Sequence, residues 1–198
     1  MNLQNQPVLK TGLLMTVCMI FLISCNKKES KENLEQLYQK FNGNYELISS
    51  ISKHAVDLNM DGRASTDLLS ENPMLSESRL GIRILENDYH YFEEMWPMVS
   101  SQVRRDEVYD PNKVYSTYAL SYDSYYNMST CLFNNDYTSI QLLRDVQKDS
   151  VNTLISIESI IIEANEVIKV TAVRKLYTIE GWHTCQIESR YKRYTIIS

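Results

Sequence analysis

Three groups of residues have types and spacings that could do chemistry. Asp57, Asn59 and Asp61 alternate ahead of Gly62, and alternate side-chain oxygens in a tight loop converge on a hard cation such as Ca²⁺, with glycine at the sixth position permitting the sharp turn. Counted from Asp57, the twelfth position is Leu68, where an EF-hand would carry a bidentate Glu; Asp67, one residue earlier, closes a shorter oxygen-lined loop. Asp57, Asn59, Asp61 and Asp67 are therefore the candidate calcium ligands. The simpler reading is an Asp-Gly turn followed by a helix start at Ser65, Thr66 and Asp67.

The second group is His90, Glu93 and Glu94 beside Trp96. On a strand His90 and Glu94 share a face and Glu93 points away, whereas on a helix all three converge. A solvated strand face explains them more simply than acid-base work. No H-E-x-x-H pair, phosphate loop, dinucleotide fingerprint or G-x-S-x-G elbow is present, so no residue is assigned as catalytic and the expectation is not an enzyme. The third group is aromatic. Tyr118, Leu120, Tyr122 and Tyr126 fall at even spacing, as do Ile187 and Tyr191, and rings with a polar tip suit an apolar pocket that must orient a ligand. These six are the candidate pocket residues, against the plainer reading that they fill a core.

The elements that would position these groups are mostly strands. Leu34, Leu37, Tyr38 and Phe41 mark one face of a short helix that Asn42 and Gly43 stop. Strand patterns follow at 45–52, 80–85, 89–96, 114–123 and 137–143, with Pro97 expected to end its strand or place it at an edge. The last third reads as three long runs, 154–163, 167–178 and 182–197, joined by connections short enough to force antiparallel hairpins. In the final run Thr184, Gln186, Glu188, Arg190 and Lys192 share a wet face, and Cys185, Ile187, Ser189 and Tyr191 a packed one. About eight strands in a meander hide their edges by closing on themselves. The expected fold is all-β, an antiparallel up-and-down barrel with a short N-terminal helix.

Composition narrows the function classes. A chain of 198 residues supports one domain, and its 43% hydrophobic content rules out wholesale disorder. A formal charge of −5 argues against a nucleic-acid binder, whose affinity comes from a basic surface. The N-terminus is different in kind. Lys10 is the one charge before an apolar run from Leu13 to Ile23, too short for the ~20 residues a spanning helix needs and suited to a secretion signal.

The ending of that run, Leu22, Ile23, Ser24 and Cys25, resembles the bacterial lipobox. The resemblance implies cleavage after residue 24, acylation of Cys25 and stable attachment through about two or three acyl chains. Residues 1–24 are then the signal, 25–33 a lipidated tether and 34–198 the barrel. Asn26 in place of Asp favours the outer membrane. Cys18 leaves with the signal and Cys25 is consumed, which leaves Cys131 and Cys185 as the two mature thiols. In an oxidising compartment they are candidates for one disulfide, with two buried free thiols as the alternative.

Gly43, Tyr45 and Leu47, followed by the D-L-N-x-D-G-x-x-S-T-D-L-L segment at 57–69, resemble the lipocalin-like lipoproteins of Gram-negative bacteria. That resemblance covers residues 43–69 and implies an up-and-down barrel with a calyx. It implies no catalytic residue and no cofactor. The function expected is a lipid-anchored, non-enzymatic envelope protein that binds a small apolar or amphipathic ligand. The alternative is an envelope interaction protein that meets another protein through its outer surface.

Overall fold

The computed structural model describes residues 33–86, 89–101, 120–143, 155–178 and 180–195. The signal, Cys25 and the tether lie outside the described residues, as does Tyr118.

Helix α1 spans residues 33–41. Among the described residues nine strands follow: β1 (Gly43–Val56), β2 (Ser65–Asp67), β3 (Arg79–Arg83), β4 (His90–Ser101), β5 (Leu120–Phe133), β6 (Ser139–Leu142), β7 (Ile155–Ile162), β8 (Ile168–Thr178) and β9 (Gly181–Thr195). A single turn of helix, α2 (Leu68–Glu71), lies between β2 and β3. Each of the strands β3 to β8 pairs antiparallel with its successor, β1 pairs with β3, and β9 closes back onto β1. The result is an eight-stranded up-and-down barrel with β2 added outside the ring on β1. Closure gives every strand of the ring a partner on both sides over at least part of its length.

Alternation decides which residues face the lumen. On β8 Ile168, Val170, Ala172, Arg174 and Leu176 are buried, and on β9 Cys185, Ile187, Ser189 and Tyr191 are buried, as the period of two requires. β1 breaks its own phase. A register shift against β9 between Leu47 and Ser49 moves the alternation by one residue, so Ser50 and Ser52 turn inward while Ile48 and Ile51 stand out in solvent. Ser50 Oγ then meets Ser189 Oγ at 3.2 Å inside the barrel. Pro97 lies within β4 and not at its end. β3 stops pairing at Met95, so from there on β4 pairs, among the described residues, with β5 alone, and a proline is tolerated on such a local edge.

Helix α1 lies against one end of the barrel. Phe41 is fully buried and stacks on Phe133 with ring centroids 4.8 Å apart. Two polar ties hold the helix: Tyr45 Oη donates to the Phe41 carbonyl at 2.7 Å, and Arg193 Nη1 donates to the Gln39 carbonyl at 2.7 Å. Both satisfy carbonyls that the end of a helix leaves without intrahelical partners. Gly43 begins β1 where a Cβ would stand 2.2 Å from the Thr195 carbonyl oxygen, so the closing strand approaches too closely for any side chain.

Candidate functional site

Midway along the barrel the lumen is crossed by a charged pair. Glu94 comes from the inward row of β4 with His90, Phe92 and Trp96, and Arg174 from the inward row of β8. Glu94 Oε1 accepts from Arg174 Nη2 at 2.7 Å and from Tyr191 Oη at 2.9 Å. The guanidinium also lies over the Trp96 ring, its Cζ 3.9 Å from the centroid, where the face of the indole attracts a cation. All four side chains are at most 2% exposed. Burial, and then the neighbouring Glu94 carboxylate, hold the Tyr191 hydroxyl well above its ordinary pKa, so it stays a donor.

This cluster is incompletely satisfied. Glu94 Oε2, Arg174 Nε and Arg174 Nη1 are buried without a hydrogen-bond partner. Each such group costs about 1–3 kcal/mol, and more when charged. A barrel selected only for stability would fill these positions with apolar side chains. Further polar residues, Asn127, Ser129, Ser50 and Ser189, are buried on the neighbouring inward rows.

Beside the cluster the wall opens. β6 and β7 pair at two positions, Ser139 with Ile161 and Ile140 with Ile160, and β7 slips register against β8 between Ile157 and Ser159. Between them lies a cavity of about 410 Å³, lined by residues that include Asn127, Ile140, Leu142, Ile157 and Ile160. Consecutive residues 139–142 and 157–161 contribute to it. Consecutive strand residues face opposite sides of a sheet, so the cavity passes between the strands and not only along the lumen. Asn127 is the cross-strand partner of Glu94, which places their Cβ atoms about 4.5–5.5 Å apart and the cavity one strand from the ion pair.

Of the residues singled out from sequence, Ile187 and Tyr191 face the lumen, each fully buried. Tyr126 does not. Tyr126 is 58% exposed and its neighbour Met128 is 47% exposed, so both lie on the outer face, and it is Asn127, Ser129 and Cys131 that point inward. The apolar content of the even positions misleads because β5 turns its polar row to an interior that is itself polar. Leu120 and Tyr122 lie on β5, paired with Ser101 and Val99.

Cys131 and Cys185 are free, buried thiols, which corrects the expected disulfide. The reason is topological: β5 and β9 stand four steps apart around the ring in either direction, on opposite walls. Burial pushes the Cys131 thiol up to about 12, so it remains an unreactive thiol at neutral pH.

The Asp57 segment is a tight loop clamped by its own amides. Asp57 Oδ1 and Oδ2 accept from the Asp61 and Gly62 amides, and Asn59 Oδ1 also accepts from Asp61 N. Asp67 is used elsewhere, accepting from Leu69 N as the N-cap of α2. Among the described residues no three His, Cys, Asp or Glu side chains are grouped so as to hold a metal ion. His90 and Glu94 do share the inner face of β4, but four strand residues separate them by roughly 13 Å. His90 Nδ1 accepts from Leu85 N at 3.3 Å, and Glu93 faces the other way in an ion pair with Arg83 at 3.0 Å.

Sequence reasoning missed Arg174. The signal was present: Arg174 continues the alternating row Ile168, Val170, Ala172, where period two demands an inward residue. A charge in an apolar phase marks a buried polar site. No helix among the described residues is long and apolar enough to cross a membrane. No protein-family profile, curated protein or solved structure matches the chain.

Proposed function

We propose that the protein is a lipid-anchored, non-enzymatic, lipocalin-like component of the bacterial envelope that holds a small amphipathic ligand in its barrel. The reading of the anchor rests on the lipobox-like Leu22 to Cys25, and the preference for the outer membrane rests on Asn26. The reading of the ligand rests on one observation: a buried ion pair with three unpartnered polar atoms, one strand away from a cavity of about 410 Å³. That volume falls within the range of small-molecule pockets. Isoleucine and leucine walls suit an apolar tail, and the cluster suits a polar end.

The test is mass spectrometry of organic extracts from the purified full chain. One compound class recovered at near-stoichiometric amount, and lost from an Ile140→Trp, Ile160→Trp variant that fills the cavity, is the expected result. Extracts indistinguishable from those of an unrelated envelope lipoprotein would sink the carrier reading. A second reading, a surface that meets another envelope protein, is favoured by the outward Tyr126 and Met128 on β5. Under that reading a Tyr126→Lys, Met128→Lys variant loses its partner and keeps whatever the barrel holds.

A further inference from the structure

We infer that the end of the barrel capped by α1 is the surface that meets the lipid bilayer, with Tyr89 and Tyr194 seated among the head groups, and that the end carrying the Asp57 loop faces away. This inference rests on the reading of Cys25 as the anchor and specifies how the anchored barrel stands.

The first argument is one of reach. Asn33, where α1 begins, follows Cys25 by eight positions. A chain of that length spans at most about 29 Å even when fully extended. The helix adds no reach along the outer wall. Leu34, Leu37 and Tyr38 pack against the core that fills the barrel, and Phe41 stacks on Phe133, so α1 lies across the barrel's end. From that end to the other is farther than the tether extends. β5 runs the length of the barrel with 14 residues; at a rise of about 3.3 Å per residue and a tilt near 40° it stands about 35 Å tall. An acylated Cys25 therefore cannot sit in a bilayer beneath the Asp57 loop.

The second argument is the chemistry of the surface at that end, where β1 and β4 begin and β5 and β9 finish. Tyr89, just before β4, is 56% exposed, and Tyr194, next to the last residue of β9, is 49% exposed. A ring with a polar tip suits the boundary between head groups and acyl chains, which is apolar on one side and wet on the other. Charges of both signs surround them: Glu35, Glu86 and Asp136 are exposed, as are Lys40 and Lys192. Arg190 and Arg193 are engaged by Glu163 and Glu166. Such a face has no bias towards anionic lipid, so contact depends on the acyl chains and the tyrosines. The opposite end instead exposes Asp61, Arg63 and Asp67.

The experiment uses the acylated chain, reconstituted in vesicles of phosphatidylcholine that include a phosphatidylcholine with a diazirine near the head of one acyl chain. Peptide mass spectrometry reads both the acyl mass on Cys25 and the sites of cross-linking. Peptides holding Tyr89 and Tyr194 are expected to be cross-linked about tenfold more than those holding Asn59 and Trp182 at the opposite end. A Tyr89→Glu, Tyr194→Glu variant is expected to keep its acyl mass and lose most of the cross-links at both positions. Cross-links there that survive the double substitution would remove the tyrosines from the contact. An acylated protein labelled equally at both ends, or chiefly on the wall at Tyr126 and Met128, would overturn the orientation while leaving the anchor standing. A protein with no acyl mass on Cys25 would overturn both.

Discussion

Glu94 and Arg174 stand on opposite walls of the barrel, four strands apart in either direction around the ring, and their side chains meet at 2.7 Å across the lumen. The contact ties β4 to β8, which share no backbone ladder, and it fixes the width of the barrel at its middle. It also buries two charges and three orphaned polar atoms inside the barrel. On the proposed carrier reading, stability and ligand binding make opposite demands on the same two residues.

Breaking the pair from one side should be costly. Arg174→Met leaves the Glu94 carboxylate buried and uncompensated, and the expected loss is about 3–5 kcal/mol in urea unfolding. The double variant Glu94→Leu, Arg174→Met should recover most of that loss, because apolar replacement of both partners removes the three orphaned atoms as well. A double variant as unstable as the single would show that the pair stabilises the fold outright.

The tie between Tyr45 and α1 predicts a smaller effect. Tyr45→Phe removes the donor to the Phe41 carbonyl without opening a cavity, and should cost about 0.5–1.5 kcal/mol. Phe41→Ala removes a fully buried ring and should cost about 3–5 kcal/mol. Hydrogen exchange of the helix amides would show whether α1 detaches from the barrel before the sheet opens.

The thiol of Cys131 gives a pH dependence with a definite sign. Its pKa rises from 9.0 in the open chain to about 12 when folded, because burial disfavours the thiolate. Its contribution to stability is therefore fully present below pH 9.0 and is lost as pH rises from there towards about 12. Cys131→Ala should flatten the decline just above pH 9 while lowering stability at neutral pH. Ellman's reagent should leave Cys131 and Cys185 unmodified in the native protein and titrate both after unfolding.

Asp57 predicts the behaviour of its loop. Both of its oxygens accept backbone amides, so Asp57→Ala should cost about 1–2 kcal/mol, with the same loss in calcium and in chelator. A calcium-dependent rise in Tm that disappears with Asp57→Ala would restore the loop as a cation site.

Attachment through Cys25 has its own outcome. Metabolic labelling with palmitate should tag the protein, and Cys25→Ser should abolish the label and leave the uncleaved precursor. An unlabelled wild type would remove the anchor from the proposal.

The amino-acid sequence alone determined the helix at 33–41, the strands of the last third and the closed antiparallel sheet. Each rests on local periodicity: Leu34, Leu37, Tyr38 and Phe41 repeat with the helical turn, and Cys185, Ile187, Ser189 and Tyr191 with the strand pleat. Which face of a strand turns inward was legible where polarity differed strongly, as on β9. It was misread on β5, where Tyr126 and Met128 are more apolar than the inward Asn127 and Ser129. Only the tertiary structure decided the pairing of residues far apart in sequence. It keeps Cys131 and Cys185 on opposite walls, and it brings Glu94, Arg174 and Tyr191 to one point although 97 positions separate the first from the last. Periodicity fixes a side chain's direction from its own strand; what it meets in the lumen depends on how eight strands close, on their register and on the single-residue slip in β1, none of which local sequence encodes.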